Sequence, residues 1–272
     1  MTRLGLGSYA CAWAIGVPGF EQPEAPIDAF GLVAFADDLG LRVVQIADNI
    51  PLHSLSADQR RALCDDAARR GISLEVGTRG IQTDHLRQYL AIAQEFGSPI
   101  LRVVVDTAQH HPSPDEVVSL IRAILPDLQA ANITLAIENH DRFKARTLAG
   151  IVEQVDSPLV GVCLDTVNSF GSLEGPEIVV ATLGRFVVNL HVKEFTIRRA
   201  LHNMGFVVTG MPAGQGMLDV PWLLDALKGY GRSFNAIIET WPAPEATMRE
   251  TVAKELDWVR QSAAYLRTLI TD

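Results

Sequence analysis

Four polar residues in the second half of the chain each end an apolar run, and their side chains could bind a metal ion. Buried parallel strands are usually apolar along their whole length, so a charged side chain at the end of one needs a chemical reason. Carboxylate and imidazole groups suit Mn²⁺, Mg²⁺ or Co²⁺, and paired glutamates can remove and return a proton. The four candidate ligands are Glu138, Asp165, His191 and Glu239, which follow residues 133–137, 160–164, 186–190 and 236–238.

The intervals between these residues indicate successive units of a parallel α/β barrel. Asp165 follows Glu138 by 27 residues (165 − 138), and His191 follows Asp165 by 26 (191 − 165). Each interval is the length of one strand with its helix. Glu239 follows His191 by 48 residues (239 − 191), so this unit carries an insertion. We assign the insertion to residues 195–218 and predict a long loop at the barrel mouth that covers the substrate.

The rest of the chain alternates strand-like and helix-like segments in the same way. Gly40 and Gly71 each predict the end of a helix, whereas Ser113 followed by Pro114 predicts the start of one. Predicted strands cover residues 4–12, 41–46, 72–77 and 100–106, followed by the four runs above; predicted helices cover residues 27–39, 57–70, 85–96, 147–155, 177–183, 221–229 and 248–270, with one more from 113. This order predicts an α/β fold: a single (β/α)8 TIM barrel over residues 1–272, with the active site at the C-terminal ends of its strands.

Other polar residues near the strand ends are predicted to line a substrate pocket. Positions two apart on a strand share a face, so the residues two beyond three of the ligands should also point into the barrel. An inward lysine beside a metal site needs an anion, which favours a substrate with a carboxylate or phosphate. We therefore predict substrate contacts by His140, Lys193, Trp241, Asn168, Arg102 and Arg198. Arg102 could also pair with Glu75 on the preceding strand as a structural brace.

Composition narrows the class of protein. The net charge is −9, whereas a nucleic-acid partner requires a basic face, so we expect no binding to nucleic acids. Three widely spaced cysteines fit neither a disulfide framework nor a zinc ribbon. The sequence shows neither a signal-peptide pattern nor an apolar stretch long enough for a membrane span, so we expect a cytoplasmic protein that does not bind membranes. Exposed barrel faces often associate, which leaves a homo-oligomer open.

One glycine motif near the start does not indicate a nucleotide site. Residues 5–10 read GLGSYA and fit the loose dinucleotide pattern G-x-G-x-x-A. That fingerprint requires a complete strand before it and a helix that starts within it. Only four residues precede Gly5 here, and three further helix-breaking residues follow soon after the motif.

The chain resembles the xylose isomerase-like TIM-barrel superfamily, in its sugar phosphate isomerase/epimerase branch. The motifs that carry the resemblance are AIENH at residues 136–140, GVCLDTVNS at 161–169, LHVKEF at 190–195, PAGQG at 212–216 and IIE at 237–239. The resemblance implies that Glu138, Asp165, His191 and Glu239 bind one divalent ion, with Mn²⁺, Mg²⁺ or Co²⁺ favoured and Zn²⁺ an alternative. It also implies that the two glutamates form the acid–base pair.

Two departures from this branch bear on the substrate. Ketose 3-epimerases of the group usually carry a histidine three residues after the aspartate ligand, where this chain has Asn168. The residue two after the histidine ligand is Lys193. Both departures favour an anionic, carbohydrate-derived small molecule over a neutral ketose.

These observations leave several functions open. The leading hypothesis is a metal-dependent isomerase or epimerase of a small sugar, sugar acid or sugar phosphate that works through an enediolate. The second is a metal-dependent lyase, a decarboxylase or dehydratase, that acts on an oxo-sugar acid at the same site. A retaining glycosidase would use only Glu138 and Glu239, and a non-catalytic sugar-binding barrel would need neither. A DNA-repair enzyme like endonuclease IV would need more histidines and less acidic charge.

Overall fold

The computed structural model describes residues 2–271. Within them, parallel strands β1–β7 and β10 close into a barrel, and β8 and β9 form a separate antiparallel pair. The barrel order is β1-β10-β7-β6-β5-β4-β3-β2. The strands are β1 (Leu4–Gly7), β2 (Val43–Ile46), β3 (Ser73–Arg79), β4 (Ile100–Val104), β5 (Thr134–Glu138), β6 (Val160–Asp165), β7 (Val187–Val192), β8 (Glu194–Arg199), β9 (Phe206–Met211) and β10 (Ala236–Ile238).

Helices surround the barrel, and one follows each of its strands. The helices are α1 (Ala12–Ile15), α2 (Ala29–Asp38), α3 (Ala57–Arg69), α4 (Thr83–Glu95), α5 (Pro114–Ala131), α6 (Ala145–Val155), α7 (Pro176–Leu183), α8 (Val220–Lys228) and α9 (Met248–Leu266). Helix α1 is a single turn inside the long connection from β1 to α2. The predicted (β/α)8 TIM barrel is therefore confirmed.

The helix boundaries follow the signals read from the sequence. Ser113 caps α5, because its hydroxyl accepts a hydrogen bond from the Glu116 N–H, and Pro114 occupies the first turn. Gly40 and Gly71 lie just beyond α2 and α3, with φ of 65° and 67°. These left-handed conformations reverse the chain at low cost only for a residue without a Cβ atom.

The first strand is shorter than predicted. It ends at Gly7 rather than at residue 12, and residues 8–11 form a 3₁₀ turn that leads into α1. Ser8 explains this ending, because its hydroxyl accepts a hydrogen bond from the Ala47 N–H at 2.9 Å and donates one to Asn49 Oδ1 at 2.5 Å. The Ser8 side chain thus replaces the next backbone hydrogen bond between β1 and the end of β2, and the chain turns across the barrel mouth.

The predicted long loop is largely a β-hairpin. Strands β8 and β9 pair from Glu194↔Met211 to Arg199↔Phe206. The buried Glu194 carboxylate ties the base of this hairpin to the chain before α8. It accepts hydrogen bonds from the N–H groups of Phe195, Gly214 and Leu218 at 2.9 to 3.1 Å. The hairpin therefore rises from a fixed base beside the barrel mouth.

The apolar core lies between the barrel wall and the inward faces of the helices. Leu4, Val44, Leu101 and Ile137 are among its fully buried strand residues. Across residues 2–271, no helix has both the length and the apolar character that a membrane crossing would require.

Candidate metal centre and substrate pocket

The structure brings the four predicted ligands together at the C-terminal mouth of the barrel. Glu138 and Asp165 end β5 and β6, His191 lies one residue before the end of β7, and Glu239 directly follows β10. Each residue is at most 3% exposed. His191 Nδ1 lies 3.2 Å from Glu239 Oε1, 3.4 Å from Glu138 Oε2 and 3.8 Å from Asp165 Oδ2. We call this group the carboxylate–histidine cluster.

Asp165 is held so that only one of its oxygens faces the cluster. Its Oδ1 accepts hydrogen bonds from the N–H groups of Val167 and Asn168, both at 2.8 Å. The side chain of Asn139 also bonds to the Asp165 backbone N–H and C=O, at 2.7 and 2.9 Å. Oδ2 therefore remains available to a ligand.

Glycine in β1 leaves room for Glu239. A Cβ atom on Gly7 would lie 3.1 Å from Glu239 Cγ and 3.2 Å from its Oε1. A Cβ atom on Gly5 would meet Ile237 and Val43 at 2.8 Å. The two glycines of the apparent dinucleotide motif therefore serve close packing next to the cluster.

Glu138 is fixed by two partners. Arg102, which is 3% exposed, donates from Nε to Glu138 Oε2 at 2.5 Å, and Asn168 donates from Nδ2 to Oε1 at 2.7 Å. Arg102 also donates from Nη1 to Asp48 Oδ1 at 3.3 Å. Burial would lower the pKa of Arg102, but the charges of Glu138 and Asp48 raise it above its ordinary value. Arg102 thus brings a buried and permanent positive charge to Glu138.

The suggested pairing of Arg102 with Glu75 is wrong. The register of β3 and β4 sets Arg102 opposite Gly77, which is two residues further along β3 than Glu75. Arg102 therefore reaches the mouth and Glu138. Glu75 lies in the layer below and accepts hydrogen bonds from other side chains, including Gln45.

Lys193 lies directly on the cluster. Its Nζ is 2.9 Å from Asp165 Oδ2 and 2.8 Å from Glu239 Oε2. Burial would lower the pKa of Lys193, but these carboxylates raise it above its ordinary value, so the side chain stays an ammonium. The same contact acts in reverse on Asp165: burial would raise its pKa, but Lys193 and His191 hold it well below the usual range. The pKa of Glu239 is also lowered, because His191 and Lys193 outweigh burial.

A cavity of about 400 Å³ opens above the cluster. It is lined by four of the predicted substrate contacts: His140, Asn168, Lys193 and Trp241. Trp241 is held by its indole N–H, which donates to the Glu194 backbone oxygen at 3.0 Å. Lys193 and Asn168 therefore connect the cavity to the carboxylates below.

Arg198 is not brought to this cavity. It lies on the exposed part of β8 and lines a separate groove with Lys254 and Trp258 of α9. The hairpin directs Arg198 away from the cavity. A loop was predicted for this insertion, and a loop does not specify that orientation.

Residues 12–269 match the family described as xylose isomerase-like TIM barrel. The chain belongs to this family. The resemblance inferred from the strand-end motifs is confirmed by this match.

Three individual proteins illustrate what the chain is similar to. It is 34% identical over 265 residues to a protein named 3-oxo-isoapionate decarboxylase from Pectobacterium atrosepticum, covering 97% of this chain and 95% of the relative. A D-psicose 3-epimerase from Clostridium cellulolyticum H10, solved with D-tagatose, superposes with a TM-score of 0.75 at 17% identity over the whole of both chains. A xylose isomerase-like barrel protein from Mycobacterium smegmatis, solved in complex with magnesium, gives a TM-score of 0.67 at 14% identity, over 97% and 96% of the two chains. At 17% and 14% identity, these two structures show only that the fold is shared.

The donor set of this xylose isomerase-like barrel fits a divalent cation. Five buried side-chain atoms in residues 2–271 lack a hydrogen bond of good geometry, and three of them belong to the cluster: Asp165 Oδ2, His191 Nδ1 and Glu239 Oε2. Burial would lower the pKa of His191, but nearby groups, including Glu239 and Glu138, raise it well above its ordinary value. The cluster therefore favours a positive charge where these atoms converge, which a metal ion would supply.

Cys163 lies close enough to Glu138 and His191 to be considered as a ligand. Burial raises the pKa of its thiol to about 11, and the Sγ atom donates to Asn189 Oδ1 at 3.4 Å. A protonated thiol with a hydrogen-bond partner is a poor ligand, so oxygen and imidazole donors remain the better set.

Several residues around the site were not singled out from the sequence. Asn139 orients Asp165, and Arg79 lies at the rim with its Nη2 3.4 Å from His140 Nε2. Thr166 hydrogen-bonds to both the N–H and the C=O of Lys193 and so fixes its backbone. Asn139 and Thr166 directly follow the predicted ligands Glu138 and Asp165 in the sequence, and this position was the one signal that could have identified them.

Proposed function

We propose that the chain is a metal-dependent decarboxylase of an oxo-sugar acid. The observation that carries this proposal is the partly buried ammonium of Lys193, which contacts Asp165 and Glu239 and lines the cavity. A cation in this place suits an anionic substrate. The identity with a 3-oxo-isoapionate decarboxylase over 97% of the chain supports the same class of reaction.

We assign the cofactor to Glu138, Asp165, His191 and Glu239. Mn²⁺, Mg²⁺ and Co²⁺ suit this set of oxygen and imidazole donors best, with Zn²⁺ an alternative. Such an ion would polarise a ketone oxygen and stabilise the negative charge that develops there.

The state of Glu138 favours decarboxylation over epimerisation. Epimerisation needs two groups that exchange a proton with carbon on opposite faces, whereas decarboxylation needs only one proton donor. Both oxygens of Glu138 accept hydrogen bonds, from Arg102 and Asn168, which holds this carboxylate in place. Lys193 lines the cavity and contacts Glu239, so a proton donor is available on one side of a bound substrate.

The reaction can be written for a 3-oxo acid. The bond between the carboxylate carbon and the neighbouring carbon breaks, and its electron pair moves towards the ketone as CO₂ leaves. A proton is then added to that carbon, which gives a neutral ketone. Lys193 is the proton donor in this proposal, because it is held as an ammonium beside the cavity. Asn168 and His140 would orient the hydroxyl groups, and Trp241 would cover the sugar chain.

An isomerase or epimerase is the second candidate. It was the leading hypothesis from the sequence, and its support is that Glu138 and Glu239 both lie within 3.4 Å of His191 Nδ1. Those positions would let two carboxylates approach a bound substrate from different sides.

One assay separates the two candidates. Chelator-treated enzyme is supplied with Mn²⁺ and 3-oxo-isoapionate in D₂O, and CO₂ and the products are followed by NMR. We expect one CO₂ for each substrate consumed, deuterium at the carbon that lost it, and loss of the reaction on chelation. An isomeric product that retains its carboxylate would establish the isomerase instead.

We further propose that the barrel forms one domain and acts in the cytoplasm on a small molecule. A homo-oligomer remains part of this proposal. The free thiols of Cys11, Cys64 and Cys163 suit a reducing compartment.

A further inference from the structure

A layer of polar side chains lies inside the barrel next to the carboxylate–histidine cluster. TIM barrels usually fill this interior with valine, isoleucine and leucine. Here Gln45 on β2, Glu75 on β3 and Asn189 on β7 are each no more than 2% exposed. Asn189 stands two residues before His191, so both point inward and form successive layers. Buried polar groups of this kind are costly unless each has its hydrogen bonds.

Glu75 is the anchor of this layer. Its Oε2 accepts hydrogen bonds from Gln45 Nε2 at 2.9 Å and from Asn189 Nδ2 at 3.0 Å. Its Oε1 accepts one from Asn235 Nδ2 at 2.7 Å. Three amide groups thus point their N–H bonds at one carboxylate.

The carboxylate determines how the two neighbouring amides are turned. Reversing Gln45 would place its carbonyl oxygen 2.9 Å from Glu75 Oε2, with no hydrogen between two acceptors. Asn189 Oδ1 also accepts from Gln45 Nε2, at 2.9 Å. Both N–H bonds of Gln45 are therefore used, and its Oε1 is directed at His191 Nε2, 2.7 Å away.

This contact selects one form of the imidazole. An amide oxygen only accepts, so the hydrogen must lie on Nε2 of His191. The lone pair of the neutral ring is then on Nδ1, the nitrogen that faces the three carboxylates of the cluster. Histidine ligands generally donate their second ring N–H to an acceptor, which fixes ring orientation and raises ligand basicity.

We propose that Glu75 and Gln45 are positioning residues that fix the Nε2–H tautomer of His191 and so present Nδ1 to the metal. The inference rests on the proposed metal-dependent function. Neither residue touches the metal or the substrate. Glu75 acts through the amide of Gln45, in place of a carboxylate bonded directly to the imidazole.

The first test measures Mn²⁺ affinity by calorimetry on chelator-treated protein. Gln45→Met keeps a similar shape and removes the acceptor, so we expect roughly ten- to a hundredfold weaker binding. Asn235→Ala is the matched control, because it removes a donor to Glu75 but touches neither Gln45 nor His191; its affinity should stay near that of the wild type. Equal losses in both variants, or unchanged affinity in Gln45→Met, would overturn the inference.

The second test exchanges the two side chains. The double variant Gln45→Glu, Glu75→Gln sets a carboxylate directly on His191 Nε2 and an amide below it. It should recover most of the affinity that Gln45→Met loses, whereas a merely space-filling role predicts no recovery. If Gln45→Met fails to fold, the exchange variant still tests the positioning role of Glu75 and Gln45. Loss of Mn²⁺ affinity in a folded exchange variant would count against that role.

A spectroscopic measurement reads the tautomer itself. In protein labelled with ¹⁵N-histidine and loaded with diamagnetic Zn²⁺, two-bond correlations should show the ring hydrogen of His191 on Nε2. A hydrogen on Nδ1 would overturn the proposal. If the wild type binds no divalent ion, both the proposed function and the positioning role of Glu75 and Gln45 fail. If the wild type binds Mn²⁺ and Gln45→Met binds it equally well, only the positioning role fails.

Discussion

The ammonium of Lys193 lies 2.8 Å from Oε2 of Glu239, a residue assigned to the metal in the proposed function. The same ammonium is 2.9 Å from Asp165 Oδ2. The Lys193 ammonium and a divalent ion would therefore compete for the same two carboxylates, those of Asp165 and Glu239. We expect metal binding to release the Lys193 head group towards the cavity, where it can meet an anionic substrate.

Replacement of Lys193 should have two effects of opposite sign. Lys193→Met removes the competing ammonium, so its Mn²⁺ affinity, measured by calorimetry, should exceed that of the wild type. Its kcat/KM for the oxo acid should fall roughly ten- to a hundredfold, as a charged hydrogen bond is lost. Lys228→Met, at an exposed lysine of α8, is the control and should change neither value. Full activity in Lys193→Met would remove Lys193 from the mechanism.

The two glutamates should differ in their effect on stability. Glu138→Gln leaves the buried Arg102 without its main counter-charge, which typically costs about 3–5 kcal/mol. Glu239→Gln affects Lys193, whose side chain is 15% exposed, and should cost less. Urea unfolding of the metal-free proteins measures both free energies.

A double variant checks the cause of this difference. Arg102→Met combined with Glu138→Gln should cost less than the sum of the two single changes, because neither leaves an unpaired buried charge in the presence of the other. Additive costs would mean that the Arg102–Glu138 contact contributes little.

The strand ends could be read from the sequence because the signal there is local. An apolar run that stops at Glu138 or Asp165 needs only the period of a strand and the convergence of parallel strands to predict a shared mouth. Lys193 followed from the same argument, since it stands two residues after His191. The alternation of strands and helices was sufficient for the barrel.

Contacts between distant strands could not be read in this way. Gln45 and His191 are 146 positions apart and meet only because the barrel closes. The failed Arg102–Glu75 pairing shows the same limit, since a shift of two residues in register changes the layer of a side chain. Strand β1 ends early because Ser8 hydrogen-bonds to Ala47 and Asn49, which follow β2, and no propensity of residues 8–12 encodes that contact.

Metal binding should stabilise the folded protein. A ligand that binds only the native state contributes about 2.7 kcal/mol at a hundred times its dissociation constant, so Mn²⁺ should raise the Tm of chelator-treated protein in a concentration-dependent way. Asp165→Asn should lose most of this shift. Asp141→Asn, an exposed change at the cavity rim, is the control and should retain it. An equal shift in Asp165→Asn would place the ion elsewhere.

The buried carboxylate of Glu255 should make stability depend on pH near neutrality. Glu255 lies on α9, is fully buried, and accepts the N–H groups of Trp13 and Ala14 at 2.9 and 2.8 Å, which holds α1 in place. Burial raises its pKa from 4.5 to about 7. Between these values the native state binds more protons than the unfolded chain, so the free energy of unfolding should fall as pH rises, by at most about 1.4 kcal/mol per pH unit.

The comparison of wild type with Glu255→Gln isolates this contribution. The variant lacks the titrating group, so the wild-type stability minus that of Glu255→Gln should decrease steadily between pH 5 and pH 7, and level off above the native pKa of about 7. Asp257→Asn, an exposed change on the same helix, should leave the pH profile of the wild type intact. Urea unfolding at intervals across this range measures the difference. A difference that rises with pH instead would mean that the two backbone N–H groups stabilise the ionised carboxylate more than burial penalises it.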